Sequence, residues 1–216
     1  MFVTFEGIEG CGKTTQVRRL VGRLRDLAIP LVSTLEPGGT GIGDRIRRIL
    51  LDARHRNLLP LTELLLYAAD RAQHVEEVIK PALRQGKWVI CDRFFDATVA
   101  YQGAGRRQDM KLVETLNSWV TQGVRPDKTF LLDCPAELGL ERAHARNRNL
   151  CDQGQDRFEQ ERLDFHIEVR QGYLKLARLN RARFVIVDAS QSEDRLEEEI
   201  FGHLRPYLRY SRSNTV

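Results

Sequence analysis

The run Gly7-Ile8-Glu9-Gly10-Cys11-Gly12-Lys13-Thr14 stands directly after the apolar segment Phe2-Val3-Thr4-Phe5 and before a stretch of helical spacing. A G-x-x-x-x-G-K-T segment in strand, loop, helix order is a phosphate-binding loop. Its glycines let backbone N–H groups curl inward around a phosphate chain, and the next helix turns its positive end to the same anion. Lys13 is placed to reach the β- and γ-phosphates. The Thr14 hydroxyl is placed to ligate Mg²⁺, and the loop through Thr15 cradles the triphosphate. A chance match in a glycine-rich turn would not require that flanking order. The expectation is therefore a nucleoside-triphosphate site in which the acidic Glu9 needs a compensating partner.

Further short apolar runs recur at 31–35, 88–91, 129–133 and 184–187, joining 2–5 as candidate strands. Helical stretches at 14–27, 42–53, 61–84, 111–122, 136–146, 158–179 and 193–208 alternate with them. Strands that are apolar throughout suit a parallel sheet covered on both faces. The predicted fold is α/β, a five-stranded parallel sheet flanked by helices on both faces, with ligands beyond the carboxyl ends of the strands. With 216 residues and 42% hydrophobic content, one domain spanning 1–210 suffices, followed by a polar tail at 211–216.

No apolar stretch approaches a membrane span and the N-terminus opens on a strand, so a cytoplasmic protein is expected. Cys11, Cys91, Cys134 and Cys151 show no C-x-x-C spacing and are expected as reduced thiols. The net charge of +4 suits an anionic ligand. No basic run interleaved with aromatics argues for a nucleic-acid partner.

Two more elements fall at strand ends. Trp88-Val89-Ile90-Cys91-Asp92 is a Walker B pattern, whose Asp92 would hold Mg²⁺ directly or through water. Leu131-Leu132-Asp133 is a similar run, and the adjacent Arg93, a guanidinium suited to phosphate, favours Asp92. The loop Glu36-Pro37-Gly38-Gly39-Thr40-Gly41 follows the second strand, as a turn where a ligand or another backbone comes close, or as an ordinary loop.

Together, FEGIEGCGKTTQ (5–16), LEPGGTGIGDRIRRILL (35–51), YAADRAQHV (67–75), CDRFFDATVAYQG (91–103), RPD (125–127) and DRFEQE (156–161) resemble the bacterial thymidylate kinases, a P-loop NTPase family. The resemblance covers residues 2 to about 190. It implies ATP + dTMP → ADP + dTDP with Mg²⁺. It implies that Arg93 and Arg47 bind the acceptor phosphate near Glu36 and Pro37, and that Glu9 points to the acceptor sugar. Tyr101 would crowd the position of a 2′-hydroxyl. Tyr67 would stack on thymine, Arg71 would donate to its O4, and Thr98 or Gln102 would read N3 and O4. The arginines 142, 146, 148 and 157 resemble a lid over ATP at about 142–157; Arg146 and Arg148 are favoured for the transferring phosphoryl group, because Gly10 stands where some members carry a loop arginine. A homodimer is implied as well, through helices such as 61–69 and 113–120.

Two positions depart from the family pattern: Leu35 replaces an arginine and Ala97 a serine. The rival readings are a kinase for another monophosphate (dUMP, dCMP or AMP), a regulatory GTPase, which lacks its N-K-x-D motif here, and a noncatalytic P-loop module.

Overall fold

A computed structural model describes residues 1–149 and 157–211. The expected lid portion 150–156, with Cys151, and the tail beyond 211 lie outside the described residues. Strands β1 (Phe2–Glu6), β2 (Leu31–Leu35), β3 (Trp88–Asp92), β4 (Lys128–Asp133) and β5 (Phe184–Asp188) form one parallel sheet in the order β2-β3-β1-β4-β5. β1 is central and buried along its whole length, which is why its sequence does not alternate. Its odd residues Val3 and Phe5 join Trp88 and Ile90 in one core cluster with Val17, Leu20 and Leu24. The alternate residues Phe2, Val89 and Cys91 pack with Val75, Ile79 and Ala82 in another. Register pairs Phe5 with Asp92 on one side and with Phe130 on the other. The phosphate loop therefore leaves β1 beside the carboxylate at the end of β3.

Helix α1 (Lys13–Asp26) starts from Gly12 at φ 92° and buries Gln16, Val17, Leu20, Val21 and Leu24, one face of a 3.6-residue period. Helix α2 (Gly41–Leu51) is capped by Thr40, whose hydroxyl accepts from the Gly43 N–H at 2.8 Å. The expected single helix 61–84 is instead α3 (Pro60–His74), a π-helical segment Val75–Ile79, and α4 (Lys80–Arg84). Pro81 accounts for the break: it has no N–H, and its ring crowds the carbonyl four residues back, so the turn widens.

After β3 come α5 (Phe95–Thr98), a second π-helical segment Val99–Gly105 that the sequence did not reveal, and α6 (Met110–Thr121). Helices α7 (Ala136–Asn149), α8 (Leu163–Leu179) and α9 (Glu193–Ser211) complete the described residues. The helix expected from 158 begins at Leu163 because Arg157, Phe158 and Glu159 turn inward and are buried. Among the described residues no helix is long and apolar enough to cross a membrane.

Candidate active site

Beyond the carboxyl ends of the strands lies a cavity of about 720 Å³. Its walls carry Glu9, Gly10, Lys13, Thr14, Glu36, Pro37, Arg47, Tyr67, Arg71, Asp92, Arg93, Thr98, Tyr101, Gln102 and Arg146. Arg148 is exposed on α7 and does not line it.

At the loop, the Lys13 ammonium donates to the carbonyls of Gly7 (3.1 Å) and Ile8 (2.7 Å), so the loop backbone aims the cation. The Thr14 hydroxyl donates to Asp92 Oδ2 at 2.6 Å. Ile8 and Cys11 are buried in the core and anchor the loop. Gly10 sits at φ 68°, and a Cβ there would collide with the Gly139 carbonyl of α7. The loop and α7 thus meet backbone to backbone, and an arginine at position 10 would force them apart.

Arg93 adopts φ 70° immediately after β3, a left-handed conformation that costs a non-glycine residue about 1 kcal/mol. The surroundings hold it there. Its backbone N–H donates to Phe5 O, and its guanidinium donates to Gly7 O (2.9 Å), Tyr173 Oη (3.1 Å), Tyr101 Oη (3.0 Å) and Glu9 Oε1 (3.0 Å). Tyr101 also donates to Glu9 Oε1, at 2.6 Å. Burial opposes the Glu9 charge, but His166, Arg93, Lys13 and Tyr101 outweigh it and hold the carboxyl at about 2. The compensating partners that Glu9 required are thus Arg93 and Tyr101, with His166 Nδ1 facing Oε2 at 3.3 Å. Behind them Tyr173 donates to Glu6 Oε2 (2.7 Å) and the Phe94 N–H to Glu6 Oε1 (2.7 Å). Burial and the nearby Asp96 raise the Glu6 carboxyl to about 8.

The loop after β2, with a cis Glu36–Pro37 peptide, is fastened from α3. Glu36 accepts from Arg71 Nε (2.8 Å) and pairs with His74 Nδ1 (2.9 Å), while Asp70 Oδ1 accepts from the Gly38 N–H (2.9 Å). Burial and the charge on Glu36 push Asp70 up to about 7. Arg71 also donates to Thr98 Oγ1 and to Asn117 Oδ1, both at 2.9 Å. Arg47 donates to the Pro37 carbonyl at 2.8 Å and, among the described residues, forms no ion pair. Its pKa is lowered chiefly by burial. A half-buried cation without a carboxylate is a natural seat for an anion.

The other arginines expected in a lid diverge. Arg146 pairs with Glu159 at 2.6 Å at the cavity wall, Arg142 donates to Ala189 O at 2.7 Å, and the buried Arg157 faces Glu63. The sequence did not single out Tyr173, His166, Glu6, Glu63, Phe158 or Glu159. Of these Phe158 and Glu159 line the cavity and the rest stand behind it. Phe158 and Glu159 stand in the DRFEQE segment without an assigned role, and Tyr173 had only ordinary core spacing to mark it.

A family model described as thymidylate kinase matches residues 5–200. A thymidylate kinase of Geotalea uraniireducens is 52% identical over 199 residues, covering 92% of this chain and 93% of the relative. One from Geobacter sp. strain M21 is 56% identical over 189 residues, with 88% and 84% covered. The solved thymidylate kinase of Ehrlichia chaffeensis superposes with a TM-score of 0.75 at 35% identity, covering 94% of this chain and 98% of that one. With the phosphate loop, the Thr14–Asp92 pair and the arginine-lined cavity in one place, and with these matches across nearly the whole chain, the protein belongs to the thymidylate kinase family.

Proposed function

We propose that this chain transfers the γ-phosphoryl group of ATP to the 5′-phosphate of dTMP, giving ADP and dTDP. The observation that carries this reading is one cavity that joins a phosphate loop to a second cationic wall, Arg47 and Arg93, with Tyr67, Arg71 and Gln102 beyond it. An oxygen of the acceptor phosphate attacks the γ-phosphorus as the bond to the β,γ-bridging oxygen breaks. Such a transition state asks the protein for alignment and charge neutralisation rather than covalent chemistry.

Lys13 leaves the loop carbonyls for the β- and γ-phosphates, and the loop amides hold the donor chain. Arg47 and Arg93 take the acceptor phosphate, Glu9 orients Arg93 and the sugar, and Tyr101 closes the space at the 2′ position. Tyr67 faces the base, which Arg71, Thr98 and Gln102 read. Arg146 reaches from the lid toward the transferring group. Thr14 and Asp92 are hard oxygen donors 2.6 Å apart, the kind of pair that Mg²⁺ takes while keeping waters, and they would hold it. When bound, the ion supplies charge neutralisation along the phosphates.

The same reading takes residues 1–210 as one kinase domain acting in the cytoplasm. It also takes the chain as a homodimer. Trp119 is 73% exposed and Leu61 52% exposed, and with Leu65, Ile42, Ile49 and Leu112 they form apolar surface on the contacting helices α2, α3 and α6. The residues between them, Leu64, Ala68 and Val113, are core. The function is tested by following dTDP formation from Mg·ATP and dTMP with the purified chain and Lys13→Ala as blank. Turnover confined to the unmutated protein is expected, and none above blank would overturn the reading.

A further inference from the structure

Glu63 is an acid standing directly behind the wall of the base pocket, with 1% of its side chain exposed, and the proposed transfer gives it no task. It sits on α3, one turn before Tyr67. Its Oε1 accepts from Gln102 Nε2 at 2.8 Å and from Arg106 Nε at 3.2 Å. Its Oε2 accepts from Arg106 Nη2 at 3.3 Å and faces Arg157 Nη2 at 2.7 Å, at an angle too poor for a hydrogen bond. Arg106 in turn pairs with Glu161 at 2.7 Å. Burying a carboxylate costs several kcal/mol unless it is paired, and two guanidiniums do so here.

An ion-paired carboxylate only accepts hydrogen bonds, whereas the Gln102 amide can turn either its NH₂ or its C=O to a neighbour. Glu63 removes that choice. The NH₂ end must face Glu63, and the carbonyl Oε1 is the end of Gln102 left for the cavity that it lines.

We propose that Glu63 is a specificity-positioning residue: by fixing the amide of Gln102 it makes the pocket present an acceptor, which selects bases with a ring N–H and rejects those with a bare ring nitrogen. Thymine and uracil carry N3–H; cytosine carries a lone pair at N3, and two acceptors would face each other. This inference rests on Gln102 facing the base, as in the proposed function. A freely flipping amide would satisfy either base at small cost, while a fixed one leaves the wrong base with an unmet polar pair.

The test compares kcat/KM for dTMP and dCMP in the unmutated protein, Glu63→Gln, Gln102→Ala, the double variant, and Glu161→Gln. Glu63→Gln lets either amide donate, so the dTMP:dCMP ratio is expected to fall about tenfold, with no further fall on adding it to Gln102→Ala. Glu161→Gln removes an Arg106 ion pair without touching Gln102 and is expected to leave the ratio unchanged, which separates amide orientation from loss of the ion cluster. Glu63→Asp keeps the charge but withdraws it by one methylene, and serves if Glu63→Gln does not fold; the same fall is expected. An unchanged ratio in the Glu63 variant beside a fallen one in Gln102→Ala overturns the inference alone. An unchanged ratio in Gln102→Ala overturns the base reading beneath it.

Discussion

At the residue scale, the site is a set of charges that the protein has already paired. Lys13 is held by two loop carbonyls and Glu9 by Arg93 and Tyr101. Preorganised groups of this kind need little reorganisation when phosphate arrives, so Lys13→Ala is expected to slow the phosphoryl-transfer step by about 10²-fold or more, read by single-turnover dTDP formation. Asp70 makes a prediction about pH. Its ordinary value is 3.8 and in the fold it is about 7, so the folded state holds the proton more tightly than the unfolded chain. The contribution of Asp70 to stability is therefore fullest below about 4 and is lost as pH rises through about 7. Asp70→Asn keeps a carbonyl for the Gly38 N–H and is expected to stabilise by about 2 kcal/mol at pH 8, with the gain fading toward pH 4, measured by thermal unfolding across pH. Lys13, Thr14 and Asp92 were legible because their chemistry follows from a contiguous motif. Tyr173 was not, since it meets Arg93 across 80 positions and Glu6 across 167, and nothing in its neighbours' spacing announces either contact.

At the element scale, the loop geometry depends on how closely α7 approaches it. Gly10→Ala demands a left-handed alanine and displaces Gly139, so it is expected to cost about 1–3 kcal/mol in denaturant unfolding and to weaken ATP binding. Gly12, at φ 92° with open space around it, gives a contrast: there alanine carries only the backbone penalty of about 1 kcal/mol. Periodicity located the regular elements but not the departures from regularity. The π-helical segment at Val75–Ile79 follows from Pro81, a signal present in the sequence. The one at Val99–Gly105 has no such marker, and it presents Tyr101 and Gln102 to the cavity. Residues 158–162 have helical composition, yet the buried pair of Arg157 with Glu63 and the pair of Glu159 with the half-exposed Arg146 turn this segment inward and out of the helix. Local propensity is worth tenths of a kcal/mol per residue, and leaving such a charge unpaired costs several.

At the scale of the whole molecule, the sheet was legible because five apolar runs separated by helices leave few alternatives to a parallel α/β fold. The cavity's location followed from the same topology. The apolar faces of α2, α3 and α6 give the proposed homodimer a test: if the chain associates through them, Leu65→Lys with Trp119→Lys should leave a monomer in sedimentation velocity with the fold intact by circular dichroism. A dimer unaffected by both charges would assign the association to another face. Central to the proposed function is a single cavity that both takes ATP and recognises thymidylate. The measurement that tests it most directly is the initial rate of ADP formation from Mg·ATP with dTMP, dUMP, dCMP, AMP, GMP and UMP offered in parallel. dTMP is expected to be the best acceptor, with ribonucleotides and dCMP far behind. Equal use of another monophosphate would contradict the assigned base pocket, and ADP formation independent of any acceptor would contradict the claim itself.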